Sequence, residues 1–267
     1  MINLTEKMTR VIENYSHILF DAENSKQEVP PLTEGTPNLT VQDAYQIQLT
    51  NVQKKVEEGN YITGKKIGLT SLAMQESLGV SEPDYGHLLD DMLIENGGDI
   101  SYKRVIQPKV EAEIAFILKK DLKGPRISTL DVLQATECVV PALEIIDSRI
   151  RNWDITLPDT IADNASSGFY LLGDKPMSID QLNLKQTGMA LYQNGRLCNT
   201  GVGAAALGDP AYCVAWLANK LAEFDITLKA GEIILSGALS VAVSAKPGDF
   251  FQARFANIGE VSVRFLP

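Results

Sequence analysis

Two glutamates, two residues apart in a stretch otherwise fit for a protein core, are the residues of this chain whose types and spacing could do chemistry. They lie in Gln107-Pro-Lys-Val-Glu-Ala-Glu-Ile-Ala-Phe-Ile-Leu118. β-Branched and aromatic residues dominate this stretch and its apolar residues alternate, the pattern of a β-strand. Val110, Ala112, Ile114, Phe116 and Leu118 share one face; Glu111 and Glu113 share the other with Ala115 and Ile117. Residues i and i+2 of a strand point the same way, about 6–7 Å apart. Two carboxylates so placed repel, and burying them unpaired is costly. A solvated face, a cluster of Lys or Arg, or a divalent metal would each answer that charge.

A third acid, Glu144, lies in Val139-Val-Pro-Ala-Leu-Glu-Ile-Ile146, a run too apolar for a surface strand. A lone acid there needs a partner. Three such carboxylates suit an octahedral cation that keeps positions open for water and substrate. With only two histidines, His17 and His87, a histidine-rich zinc site is excluded, and Mg²⁺ or Mn²⁺ is favoured. The competing reading pairs the acids with Arg149 or Arg151 in salt bridges.

Other candidates surround these acids. In Gly64-Lys-Lys-Ile-Gly-Leu-Thr-Ser71, strand alternation puts Lys66 on the face opposite Ile67 and Leu69. A lysine there either polarises a carbonyl or enolate or decorates a solvated edge. Asp84 follows Pro83 and precedes Gly86, which reads as a turn aspartate or, if the turn lines a cleft, as an acid/base group. Asp163-Asn-Ala-Ser-Ser-Gly168 is a dense polar loop that either offers hydroxyls and amides to an anion or is a flexible turn. Ser236 and Gly237 stand where an apolar strand breaks.

The elements that must position these residues are legible in outline. Apolar residues at helical spacing predict a helix over 3–22, followed by a proline-bearing loop over 23–40. Thr40 as N-cap with Asp43 at N3 starts a helix that runs to about Glu58. A short strand entering a turn is expected over 64–71, strands at 110–118, 139–146, 169–173, 232–236, 250–256 and 259–265, and helices at 71–79, 128–138 and 210–221. A hairpin over 184–200 turns at Asn194-Gly195. Helices first and mostly strands after argue an α+β fold, with an N-terminal helical portion over residues 1–60 and a β-rich catalytic domain over 61–267. The net charge of −10 disfavours nucleic acid or an anionic membrane as partner. No apolar run is long enough to span a membrane, and Met1-Ile-Asn-Leu-Thr-Glu-Lys-Met8 lacks the layout of a signal peptide. Three scattered cysteines, Cys138, Cys198 and Cys213, point to buried thiols in a reducing cytoplasm.

Six stretches together resemble a known family. They are Gly64–Ser71, Pro83-Asp-Tyr-Gly86, Gln107–Phe116, Pro141-Ala-Leu-Glu-Ile-Ile-Asp-Ser-Arg149, Ala162-Asp-Asn-Ala-Ser-Ser-Gly168 and Ile234-Leu-Ser-Gly-Ala-Leu239. From about residue 60 to the C-terminus the chain is similar to the 2-keto-4-pentenoate (2-hydroxypentadienoate) hydratases of the fumarylacetoacetate hydrolase superfamily. The resemblance implies a mixed, rolled β-sheet core, a Mg²⁺ or Mn²⁺ ion, and homo-oligomers. It puts the metal acids on Glu111, Glu113 and Glu144, the active-site lysine on Lys66 and the acid/base aspartate on Asp84. Ser167 and Ser236 fall in its substrate-facing loops. The implied activity is hydration of a 2-hydroxy dienoic acid in the catabolism of aromatic compounds. The sister activity, 4-oxalocrotonate decarboxylation, is the alternative; Pro108-Lys-Val-Glu-Ala-Glu113 looks more like the hydratase form. A non-enzymatic domain whose acids sit in structural salt bridges is the distant alternative.

Overall fold

A computed structural model describes residues 4–267, apart from the side chains of residues 4–7, 74, 77 and 78. Residue 3 and the Leu4 side chain, where the first expected helix begins, lie outside the described residues. The chain opens with helix α1 (Leu4–Ser25), the single turn α2 (Leu32–Gly35) and helix α3 (Val41–Glu57). Strand β1 (Ile62–Gly68), helix α4 (Leu72–Leu78) and strands β2 (Asp84–Leu89), β3 (Leu93–Ile94), β4 (Asp99–Ser101) and β5 (Lys109–Leu118) follow. Next come helix α5 (Thr129–Ala135), strand β6 (Thr136–Ile146), helix α6 (Leu157–Ala162) and strand β7 (Ser167–Leu172). The hairpin β8 (Gly188–Gln193) and β9 (Arg196–Val202) leads to helix α7 (Pro210–Leu221). Strands β10 (Ile233–Ala238), β11 (Val243–Ser244), β12 (Phe250–Phe255) and β13 (Gly259–Leu266) complete it. Among the described residues no helix is long and apolar enough to cross a membrane.

The expected cap of α3 forms in full. Thr40 Oγ1 accepts from the Asp43 amide at 3.1 Å, and the Asp43 carboxylate accepts from the Thr40 amide at 3.1 Å. Segments that differ from the sequence reading include α2, inside the expected loop over 23–40, the unexpected α6, β3 and β4, and the two that follow. Helix α5 stops at Ala135, because β-branched Thr136 leaves the helix for the sheet and its hydroxyl donates back to the Val132 carbonyl at 2.7 Å. Asp84 is not in a turn but is the first residue of β2. An acid, a glycine and a histidine hide that strand from a propensity reading; its pairing with β1 makes it one.

One mixed sheet runs in the order β2-β1-β10-β5-β6-β7-β3, with β11 beside β5. A second sheet runs β4-β13-β12-β8-β9. The register of the first sheet sorts its side chains. Lys66 lies beside Leu235, Leu235 beside Ala115, and Ala115 beside Val140. Glu111 lies directly opposite Glu144, and Glu113 opposite Ala142. Because side chains alternate with period two, this register puts Asp84, Lys66, Glu111, Glu113 and Glu144 on one face.

That face is the inside of a curl. Thr63 on β1 meets Tyr170 on β7, hydroxyl to hydroxyl at 2.9 Å, although β10, β5 and β6 separate their strands in hydrogen-bonding order. Leu88, Ala115, Val140, Ala142, Tyr170 and Leu235 fill the interior behind the ionisable groups. The opposite face, with Ile67, Val110, Ile114 and Phe116, packs on α3, α7 and the second sheet through Tyr45, Leu217 and Phe251. Each fully buried Ile or Phe of that face contributes about 1.5–3 kcal/mol.

Candidate active site

β1 delivers two lysines to opposite faces, and both are buried. Lys65 faces outward and pairs with Glu232 at 2.8 Å. Lys66 faces the interior, where its ammonium lies 3.2 Å from Glu144 Oε1 and donates to the Ala165 carbonyl at 2.9 Å. Gly68 makes room beside it: a Cβ there would stand 2.1 Å from Asp84 Oδ1 and 3.4 Å from Lys66 Nζ. Only glycine lets the Asp84 carboxylate lie against β1.

β5 and β6 supply the three glutamates. Each offers a carboxylate oxygen, all within 4.8 Å of one another. Glu113 and Glu144 are fully buried, while Glu111 sits at a cavity wall. A bulge in β10 between Leu235 and Ala238 turns the Gly237 amide toward Glu113 Oε2, to which it donates at 2.7 Å. Gly237 holds φ at +107°, a conformation glycine alone adopts readily. Glu113 Oε1, Glu144 Oε2 and Asp84 Oδ1 are buried without a hydrogen-bond partner. Buried carboxylate oxygens left open, converging as a hard-oxygen donor set, fit a divalent cation.

The charges bear on one another as expected. Burial raises the pKa of Glu111, and Glu144 raises it further, to about 7. Burial, then Glu144 and Glu111, lift Glu113 well above the usual carboxylate range. Burial raises Glu144 and Asp84 too, with Lys66 opposing in both cases. For Lys66, burial pulls its pKa down but Glu144, Asp84, Glu111 and Glu113 outweigh it, so the ammonium is held protonated.

A loop closes the interior from the α6 side. Asn164, Ala165 and Ser166 all have φ near +50°, at +54°, +50° and +52°. Left-handed backbone at a non-glycine residue costs about 1–2 kcal/mol each, so other contacts must hold this run. The Asn164 side chain accepts from the His87 amide at 2.8 Å and donates to the His87 carbonyl at 2.9 Å. Arg149 pairs with Asp163 and donates to the carbonyls of Asp147, Asp163 and Ser167. The strained run presents the Ala165 carbonyl to Lys66.

A cavity of about 410 Å³ opens from these groups. Lys66, Asp84 and Glu111 line its inner end, with the hydroxyls of Thr160 and Ser166. Thr160 Oγ1 lies 3.4 Å from Asp84 Oδ2 and 3.4 Å from Ser166 Oγ. Leu69, Trp153, Ile155, Leu239 and Val241 form apolar walls, and Lys109 stands among them.

The structure thus brings Lys66, Asp84, Glu111, Glu113 and Glu144 together, but two expected residues stand elsewhere. Ser236 is buried and its hydroxyl donates to the Ile114 carbonyl at 2.8 Å, on the far side of the Gly237 bulge. Ser167 lines a separate, small cavity with Arg149, Asp163 and Asn164. Its neighbour Ser166 faces the main cavity instead, because three left-handed residues break the alternation that sequence reading assumes. The salt bridges proposed for the acids are not formed with arginine: Arg149 serves Asp163, and Arg151 lies 3.9 Å from Glu34 at the surface. His87 is buried away from the acids, with Nδ1 3.1 Å from Gln48 Oε1, and His17 is exposed. Of the three free cysteines Cys213 is buried, Cys138 half-buried and Cys198 exposed, so the expectation of buried thiols holds for one.

Comparison with known proteins adds an independent line. The family model for the fumarylacetoacetate (FAA) hydrolase C-terminal region matches residues 65–266. The chain is 46% identical over 253 residues to a 2-keto-4-pentenoate hydratase of Paraburkholderia xenovorans (strain LB400), covering 95% of this chain and 94% of that one. It is 43% identical over 267 residues to a 2-oxo-hept-4-ene-1,7-dioate hydratase of Escherichia coli, covering 96% and 100%. Among solved structures it is similar to a 4-oxalocrotonate decarboxylase from Pseudomonas putida G7 complexed with magnesium and adipate. That match has a TM-score of 0.94 and 36% identity, and covers 97% of this chain and 98% of that one.

Proposed function

Because the chain belongs to the fumarylacetoacetate hydrolase family, we propose that it is a hydratase that adds water to 2-hydroxypenta-2,4-dienoate, giving 4-hydroxy-2-oxopentanoate. The observation that carries this reading is the set of five ionisable groups on one inner sheet face, with open carboxylate oxygens beside a protonated lysine. A Mg²⁺ or Mn²⁺ ion held by Glu111, Glu113 and Glu144 would supply Lewis-acid charge for the substrate's carboxylate and 2-oxygen.

The chain's own residues supply the rest. Lys66 has three N–H donors, and two are committed to Glu144 and the Ala165 carbonyl. The third is free for the substrate 2-oxygen, where negative charge develops. Protonation of C5, with loss of the 2-hydroxyl proton, converts the dienol to 2-oxopent-3-enoate. Water then adds its oxygen to C4, and a proton goes to C3. Asp84 suits these transfers: its pKa is raised by burial, and its Oδ1 is unpartnered. Ser166 and Thr160 are positioned to orient the water, in place of Ser167 and Ser236. The reading carries with it a small-molecule acid as partner and a homo-oligomer, as the resemblance to the hydratases implies.

The second reading, decarboxylation of 4-oxalocrotonate, draws on the similarity to the Pseudomonas putida G7 structure. It would use the same stabilised enolate and lose CO₂ rather than gain water. One assay separates them: 2-hydroxypenta-2,4-dienoate and 2-oxohex-3-enedioate are offered separately with Mg²⁺, and dienol absorbance and CO₂ are followed. Loss of the dienol with formation of 4-hydroxy-2-oxopentanoate is expected; CO₂ release without dienol hydration reverses the assignment. If Glu111→Gln and Glu144→Gln both leave divalent-cation binding and folding unchanged, the metal-enzyme reading fails.

A further inference from the structure

Strand β2 is the edge of the first sheet, paired with β1 alone. Its free side meets α6 and the loop that follows. Among the described residues no backbone hydrogen bond joins β2 to residues 157–166. The approach is close all the same: a Cβ on Gly86 would stand 2.4 Å from the Asn164 carbonyl oxygen. Side-chain amides stand in for the missing ladder. Asn164 clamps the backbone of His87. Gln48, from α3, clamps the stretch beside it: its Nε2 donates to the Tyr85 carbonyl at 2.9 Å and to the Ile161 carbonyl at 2.8 Å. Both N–H bonds of that amide are committed, so Oε1 is left to accept from His87 Nδ1 at 3.1 Å. Burial, then the Lys65 charge, keeps His87 neutral, with its pKa pushed down to about 3. The Gln48 side chain is fully buried and its amide is fixed by three hydrogen bonds.

The two carbonyls it holds are placed next to working groups. Tyr85 follows Asp84, and Ile161 follows Thr160. Asp84 Oδ2 and Thr160 Oγ1 are the pair 3.4 Å apart at the inner end of the cavity. On the other side of Thr160, Asp159 accepts from the Thr33 amide at 3.1 Å and from the Thr33 hydroxyl at 2.8 Å. Thr160 is thus tied on both sides to the N-terminal helical portion. Gln48 itself does not line the cavity, so any effect it has on the chemistry must pass through its neighbours. An amide that merely filled a gap in the core would serve one element; this one bridges β2 and α6 at the residues adjoining Asp84 and Thr160.

We propose that Gln48 is a positioning residue for the addition of water: by bridging the Tyr85 and Ile161 carbonyls it sets the separation of Asp84 and Thr160, and so where water is held against C4. This rests on the hydratase reading above, in which Asp84 handles the proton and Thr160 orients the water. The N-terminal helical portion is then part of the frame of the active site rather than an appendage to the β-rich domain. The bonds made and broken are those of that reading, and Gln48 exchanges no proton in them.

Gln48→Met keeps the length of the side chain and removes both donors. In the Mg²⁺-loaded enzyme acting on 2-hydroxypenta-2,4-dienoate, kcat should fall at least tenfold, because a small misplacement of a proton-handling pair is costly. KM should stay within about threefold, and so should Mg²⁺ affinity by calorimetry, because Gln48 touches none of the groups that hold C1, C2 or the ion. Val52→Ala is the packing control: Val52 is buried one turn further along α3 and has no polar link to β2 or α6. It should lower the melting temperature while leaving kcat within about twofold. If Gln48→Met does not fold, Thr33→Val takes its place, a milder change because Asp159 keeps the Thr33 amide and both Thr156 donors. Its kcat should fall about threefold at unchanged KM. A wild-type kcat in the variant that folds, an equal fall in Val52→Ala, or a fall carried by KM or by lost Mg²⁺ binding overturns the positioning role and leaves the hydratase reading intact. Wild-type enzyme that does not hydrate the dienoate overturns the hydratase reading, and this role with it.

Discussion

Loading the glutamate centre with Mg²⁺ should expel protons. In the metal-free chain the three carboxylates offer oxygens within 4.8 Å of one another. Two like charges at that distance repel by at least about 3 kcal/mol at an effective dielectric constant of ~20. Three ionised acids carry three such repulsions, against an attraction of roughly 5 kcal/mol between Glu144 and Lys66 at 3.2 Å. Protons relieve the imbalance: Glu111 is pushed to about 7, and Glu113 well above its ordinary value. A divalent ion needs the ionised carboxylates, so binding at pH 7 should release about half a proton from Glu111 and more from Glu113, whose pKa burial and its neighbours also raise. Calorimetric titration with Mg²⁺ in two buffers of different ionisation enthalpy measures that number directly. It should exceed about half a proton, and affinity should weaken as pH falls through 7.

The stability of the metal-free chain carries the same signature. The folded pKa of Glu111 lies above its ordinary value of 4.5. Its contribution is therefore fully present below 4.5 and lost as pH rises through about 7, a fall of roughly 3 kcal/mol. Saturating Mg²⁺ should abolish that fall in a denaturant titration. Glu113→Gln should cut proton release to about half a proton and weaken binding. Tight Mg²⁺ binding at pH 7 with no proton released would refute the account of three acids sharing one buried site.

Gly68→Ala should lower kcat about 100-fold, because a methyl 2.1 Å from Asp84 Oδ1 forces that carboxylate aside; a wild-type kcat would remove Asp84 from the chemistry. Lys66→Met should lower kcat by about 10²–10³ through loss of the charge facing the 2-oxygen, with Mg²⁺ binding retained in calorimetry. Arg149→Met leaves Asp163 buried without its partner and should cost about 3–5 kcal/mol, lowering the melting temperature by roughly 6–20 °C. Ser166→Ala should raise KM several-fold while Ser167→Ala leaves it within twofold, since the cavity is lined by the first serine and not by the second; the reverse order would overturn the placement of that loop.

Period two in β5 and β6 accounts for what was legible beforehand. Glu111, Glu113 and Glu144 betray themselves as charges in apolar runs, and Lys66 by alternating with Ile67. Once β5 and β6 pair in register, Glu111 and Glu144 must meet. Elsewhere regular alternation breaks, and legibility stops with it. The β10 bulge turns the Gly237 amide into the site and leaves the Ser236 hydroxyl on the Ile114 carbonyl. The left-handed run 164–166 presents Ser166 rather than Ser167. Asp84 was named as a candidate, but its strand was masked by Pro83 and Gly86, which spell a turn locally, whereas β1 pairs with it across the sheet. Arg149 and Asp163 lie fourteen residues apart in two loops, and no periodicity links them. What holds these irregular segments is long-range: Asn164 on His87, Arg149 on Asp163, and Gln48 Nε2 on the carbonyls of Tyr85 and Ile161. The three clustered glutamates therefore ride on the most regular part of the fold, where register alone sets their spacing. Lys66 and Asp84 ride on paired strands as well, whereas Ser166, placed to orient water, rides on the irregular part, where strain is held by distant polar contacts. A change in the water-orienting hydroxyl can then arise by altering a loop, with the carboxylate triad left undisturbed.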